Sequence, residues 1–339
     1  MTRRSRFRSP LAALLLGLAI SASASAAPVA AEQLTRYSGG SAAWSPDGST
    51  LVVTAGDALE VIRMGEGRTR IGAGRIGFFG FPCECPLGWS ADGRLVLFLS
   101  HDEEIEGDAS AGSIAPDGSA LELDPLGRPV GDVAWSPAGF PLAFVPNARA
   151  SSGNGTRIGP NPDVWILDGL GTKPRKLFAE RGVESGPLFS PDGSRILYQL
   201  SRGRSTSLRL VDADGSHRRV LVPDIYSEAE YSWSPDGSQV AVVTTSRHDR
   251  RAHLYVLPAA DGKLRQLTRE EVRKEPPAWS PDGSWIAFTT FGGAIREIRP
   301  DGSGAHILRA LPGMEVRGLA WSPDGGRLAY SAEPIRHTD

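Results

Sequence analysis

Beyond the first thirty residues, apolar positions nowhere recur at helical spacing, which argues against a helical bundle and against folds built on crossover helices. No second apolar run approaches the length of a membrane span, so the body of the chain reads as soluble. Basic residues are not in excess. The 37 Lys and Arg stand against 39 Asp and Glu, and a formal net charge of −2 offers no footprint for nucleic acid. No serine sits in a G-x-S-x-G elbow and no H-E-x-x-H pair is present, so two common hydrolytic signatures are missing. Cysteines number two, Cys83 and Cys85. Across one intervening residue a disulfide ring is tight, and three states stay open: a strained disulfide, free thiols, or a metal or redox pair.

What the chain does have is punctuation. Its 40 glycines and 26 prolines recur at intervals rather than pooling in one tract, a sign of many turns. The first residues differ in kind. MTRRSRFRSP carries four arginines, LAALLLGLAI is apolar, and SASASAAPVA offers small-x-small sites. That order predicts an export leader over residues 1–27, cleaved after Ala26 or Ala27, with Arg3-Arg4 leaving the twin-arginine route open beside the general one. The mature chain would lose four arginines and shift from −2 to −6. It is expected in the periplasm or outside the cell.

One phrase organises the rest. WSPDGS or a near copy begins at Trp44, Trp89, Trp135, Phe189, Trp233, Trp279 and Trp321, with gaps of 45, 46, 54, 44, 46 and 42 residues. In the Pro-Asp-Gly turn, Pro sets φ at the first position, Asp bonds back to local backbone, and Gly takes the left-handed conformation. β-rich segments follow each turn, as in RILYQL, SLRLVD and HRRVLV. Four short strands per mid-forties repeat predict an all-β propeller, with residues 28–339 as its single domain. EQLTRY (32–37) reads as the outer strand of a blade with nothing before it, and the repeat from Trp321 stops after two strands. Joining the two ends closes a seven-bladed ring, its last blade short of one strand; six blades with a spare hairpin is the alternative.

WSPDGS followed by an apolar strand, a VDADGS turn and an RRVL or RQLT segment resembles the TolB-like, WD40-like propeller repeat. The resemblance spans residues 32 to about 333 and implies the fold. Such repeats also occur in Tol-system proteins, peptidases and pectin lyases, so the resemblance leaves function open. The α/β domain of the Tol protein and the hydrolase domain of the peptidases are not matched here.

VDADGS resembles the start of a calcium loop, but counting from Asp212 puts Pro223 where the bidentate Glu should stand, so it reads as a hairpin turn. His248 and His253 flank two arginines and read as solvated loop residues, so neither a metal nor a cofactor is expected. The aromatic of each repeat is expected to pack between blades. Propeller topology gathers the longest irregular segments, 72–88, 100–110 and 146–162, at one mouth of the channel, opposite the Pro-Asp-Gly turns. Candidate binding residues there are Phe78, Phe79 and Phe81, the acidic run with His101, Asp102 and Glu103, and Arg247, His248 and Arg250. Aromatic clusters beside charged patches suit a protein or peptide ligand. The expectation is a monomeric, non-catalytic binding scaffold. A carbohydrate-active lyase or hydrolase and a Tol-system component are the alternatives.

Overall fold

In the computed structural model, the described residues are 15–20, 32–33, 42–55, 58–71, 87–90, 92–99, 109–126, 130–146, 163–203 and 205–335. They form seven four-stranded antiparallel sheets. Six are each made from one continuous segment of chain, and the seventh joins both ends. Blade four shows the plan: Val183–Phe189 lies innermost, followed outward by Arg195–Arg202, Ser205–Asp212 and Arg219–Ile225. Each strand pairs with the next, so first-to-second and third-to-fourth turns fall at one end and the other connections at the opposite end. No helix among the described residues is long and apolar enough to cross a membrane.

The core is divided into seven wedges, one between each pair of neighbouring blades. Leu197, Leu208 and Leu210 of blade four meet Trp233, Val240 and Val242 of blade five, for example. Trp44, Leu51 and Val53 of blade one meet Ala329 of blade seven, which closes the ring. Both faces of the second strands are therefore buried, which is why they carry continuous apolar runs such as VAVV within Gln239–Thr245.

The repeated aromatic lies in these wedges and also makes a polar bond. Four indole N–H groups donate to the carbonyl just before the matching aromatic of the preceding blade: Trp89 to Ala43, Trp279 to Ser232 and Trp321 to Ala278, all at 3.3 Å, and Trp233 to Leu188 at 3.5 Å. Trp44 donates to Ala320 at 3.1 Å, carrying the chain of bonds across the junction between the last blade and the first. Phe189 has no N–H to give and contributes packing alone.

The turn beyond each aromatic satisfies its own polar groups. In blade one Gly48 N donates to Ser45 O at 2.8 Å, Thr50 N to Ser45 Oγ at 2.9 Å, and Ser45 Oγ to Asp47 Oδ1 at 2.5 Å. Gly48, at φ +70°, occupies the left-handed position expected of it. The copies at Ser190, Ser234, Ser280 and Ser322 repeat the serine–aspartate bond. Blade three departs from the pattern. WSPAGF has Ala138 in place of the aspartate, and its hairpin closes early, pairing Ser136 with Gly139. Without a carboxylate to hold the serine hydroxyl and the amide beyond the glycine, the wider turn loses its brace.

The closing blade differs from the sequence expectation by one strand. Met314–Trp321 and Arg327–Pro334 form its inner half, and Glu32–Gln33 is its outer strand, as anticipated for the EQLTRY segment. The third position, expected to be vacant, holds Leu15–Ile20 from the apolar run, paired from Leu15 opposite Ala332 to Ile20 opposite Arg327.

Candidate functional site

Antiparallel order assigns each connection to a face. The Pro-Asp-Gly turns and the Asp-Gly turns before the outer strands lie at one end. The second-to-third and blade-to-blade connections surround the other mouth of the channel. The two ends differ in chemistry. At the turn end, short hydrogen-bonded loops consume their own polar groups. At the other end, large apolar side chains reach solvent: Val183, Tyr226, Phe291 and Ile335 are 47%, 38%, 60% and 38% exposed. The remaining exposed large apolar residues among those described, Leu123, Val220 and Ile307, sit on outer strands.

Two of the four are aromatic, and both carry arginines. Tyr226 follows the outer strand of blade four. The guanidinium of Arg250 lies 4.8 Å and that of Arg247 5.8 Å from its ring centroid. Arg250 also donates to the Tyr226 hydroxyl, while Arg247 is paired with Asp224 at 2.5 Å. Phe291, in the hairpin between the second and third strands of blade six, has Arg273 stacked at 5.4 Å. Arg273 is paired in turn with Glu315, which also holds Arg317 at 2.5 Å. These two arginines keep the Glu315 carboxyl below its ordinary range, the bond from Arg317 being the largest cause.

The loop carrying Arg247 and Arg250 is braced from beneath. Arg250 N donates to Ser246 O at 3.1 Å, and Asp249 Oδ1 accepts from Arg251 N at 3.1 Å. Asp249 Oδ2 lies 2.8 Å from His253 Nε2, and the other ring nitrogen lies 3.0 Å from the Glu270 carbonyl. The His253 bond is the largest cause holding the Asp249 carboxyl down at about 2. His253 was expected in solvent. It lies instead on the third strand of blade five, 1% exposed, and anchors the loop. His248 stays in the exposed loop, its backbone N–H held by Ser246 Oγ.

Between blades three and four, carboxylates serve as clamps. Glu184, 1% exposed, accepts from Val164 N at 2.7 Å and from Glu180 N at 3.1 Å. Burial raises its carboxyl to about 7, against the lowering effect of those two amides. Glu180 takes Arg209 at 2.7 Å and the Tyr198 hydroxyl at 3.0 Å. Among the described residues no three His, Cys, Asp or Glu side chains converge in a way that could hold a metal.

Of the candidates read from sequence, Arg247, His248 and Arg250 share one loop of this face. Phe78, Phe79, Phe81, His101, Asp102, Glu103, Cys83 and Cys85 lie outside the described residues. Sequence reasoning passed over Tyr226 and Phe291. The available signal was a large aromatic within three residues of a strand end, in a connection assigned to the loop face.

No family model matches the chain. It is 25% identical over 201 residues to dipeptidyl-peptidase 5 of Porphyromonas gingivalis, covering 52% of this chain and 29% of that protein. It is 33% identical over 91 residues to the Tol-Pal system protein TolB of Anaeromyxobacter dehalogenans, covering 27% of this chain and 20% of that protein. The matches thus span less than a third of either relative's length. Among solved structures, TolB from Acinetobacter baumannii is similar with a TM-score of 0.53 at 15% identity, over 87% of this chain and 63% of that one. An oligogalacturonate lyase from Vibrio parahaemolyticus has a TM-score of 0.60 at 13% identity, over 86% and 88%. The fold is a β-propeller, which these solved structures share although their names differ in function.

Proposed function

We propose that the chain is an exported, non-catalytic propeller that binds a protein or peptide on its channel-mouth face. The observation that carries this reading is the asymmetry between the two ends. The turn end closes its own hydrogen bonds, while the mouth presents Tyr226 and Phe291, each half-covered by arginine. Exposed aromatics with stacked guanidinium groups combine apolar area with directional donors, the mixture enriched where proteins meet proteins. The likeness to a Tol-Pal system protein adds support for a periplasmic binding role, as does the leader-like start of the sequence. Residues 1–27 are proposed to be removed on export, leaving the propeller as the mature protein.

Cross-linking with the tagged protein in its native compartment tests the reading. Wild type and an Ile307→Ala control, altered on an outer strand, should recover one common partner. The double change Tyr226→Ala with Phe291→Ala should reduce that recovery at least tenfold with the fold intact by circular dichroism. Undiminished recovery would move the binding surface elsewhere.

A further inference from the structure

The rim formed by blades four to six contains cations of two kinds. Arg247, Arg273, Arg296 and Arg317 each have a carboxylate partner: Asp224, Glu315, Glu270 and Glu315. Arg250 and Lys274 have none among the described residues. Their partners are neutral oxygens on consecutive residues, Arg250 on the Tyr226 hydroxyl and Lys274 Nζ on Ser227 Oγ at 3.1 Å. Both side chains are exposed. Two cations with no carboxylate partner among the described residues therefore bracket one short connection, reaching it from the loop of blade five and from the link between blades five and six.

Arg250 is also held in place. Its backbone is left-handed at φ +63°, unusual for a residue with a Cβ, and the surrounding bonds to Ser246 and Asp249 maintain it. The other such non-glycine residues described, Ala120 and His217, lie in turns at the opposite end. The guanidinium carbon lies 4.8 Å from the Tyr226 ring centroid. One donor goes to the Tyr226 hydroxyl, and among the described residues no carboxylate takes the others. A planar fork fixed on an aromatic loses little entropy when it takes a bidentate carboxylate. Lys274, one residue along, supplies a second point charge.

We infer that Arg250 and Lys274 form a docking site for an acidic segment of a protein partner, two neighbouring carboxylates being received over Tyr226 and Ser227. This rests on the reading of the channel mouth as the binding face and specifies its ligand. Asp224 is spent on Arg247, Asp249 beside Arg250 on His253, and Glu275 beside Lys274 on Arg317, which leaves Glu228, exposed beside Ser227, as the opposing charge in the connection itself. Its sign makes a further demand on the data: removing it should tighten binding.

The test is fluorescence anisotropy with a labelled octapeptide of alternating Asp and Glu, compared with an Asn-Gln octapeptide, octalysine and free glutamate. The acidic peptide should bind, and binding should weaken as salt rises from about 20 mM to about 200 mM, where the screening length falls below about 10 Å. Arg250→Glu with Lys274→Glu should weaken it at least tenfold, Arg250→Lys several-fold, and Glu228→Gln should strengthen it. Equal binding of the Asn-Gln peptide, or affinity unchanged by the double reversal, would overturn the inference. Competition by free glutamate at matching concentration would replace the protein segment with a small carboxylate and overturn it as well. A partner captured through Tyr226 and Phe291 but indifferent to Arg250 and Lys274 would sink this inference and leave the docking reading standing.

Discussion

A single atom separates two roles of the repeated aromatic. Trp279 is 8% exposed and fills the wedge between blades five and six, and its indole N–H reaches back to Ser232 of blade five. Phe189 performs the first role without the second. Trp279→Phe should therefore cost the net worth of a hydrogen bond, about 0.5–1.5 kcal/mol, plus a smaller packing loss because phenyl fills less of the wedge than indole. Trp279→Ala should cost about 3–5 kcal/mol, since it also empties the wedge. Denaturant unfolding of both variants separates the terms, and equal losses would mean the N–H bond carries the whole effect. The aromatic heads were legible as packing residues because they recur with the period. The bond was not, because its acceptor lies about 45 residues earlier and is a backbone carbonyl that no residue type marks.

At the scale of the element, the turns behave as small acid sensors. In Asp47, Asp192, Asp236, Asp282 and Asp324 the carboxyl is held below its ordinary value, first by the serine hydroxyl two residues earlier, and for Asp192 the result is about 2. A carboxyl that ionises more readily folded than unfolded adds stability above its unfolded pKa, and that stability is lost as pH falls through the folded value. Stability should thus hold down to about pH 4 and decline towards pH 2. Asp192→Asn should lower stability at pH 7 and flatten the decline, as read from urea midpoints across that range. A slope unchanged by the substitution would place the acid sensitivity elsewhere. Strand order and turn chemistry could be read from Pro-Asp-Gly directly. The early closure in blade three could also be seen coming from the missing aspartate in WSPAGF, although its new pairing, Ser136 with Gly139, needed the three-dimensional register.

For the whole molecule, ring closure places two demands on one segment. Leu15–Ile20 is the third strand of the closing blade, and the same residues form the core of the proposed leader. Amino-terminal sequencing of the exported protein should find a start near residue 28. Amide exchange along Arg327–Pro334 should then be faster in the processed protein than in the full chain, because the strand that pairs with it has left. Exchange along Arg195–Arg202, in a blade made from one continuous segment, should not change. Equal protection of Arg327–Pro334 in both forms would mean another segment has taken the vacated position.

The sequence by itself determined the propeller class and the order of strands within a blade, but neither the blade count nor the third strand of the closing blade. Periodic turns and short strands of fixed order admit few closed arrangements, and local chemistry repeated seven times needs no tertiary information to be read. It also pointed to the face where function should be sought, since an antiparallel meander must alternate its connections between two ends. Only the tertiary structure decided which side chains meet there. Tyr226 and Arg250 are 24 residues apart, Ser227 and Lys274 are 47, and both pairs come together only because neighbouring blades pack side by side. That contact depends on the radial arrangement of sheets, which sets distances no spacing along the chain records.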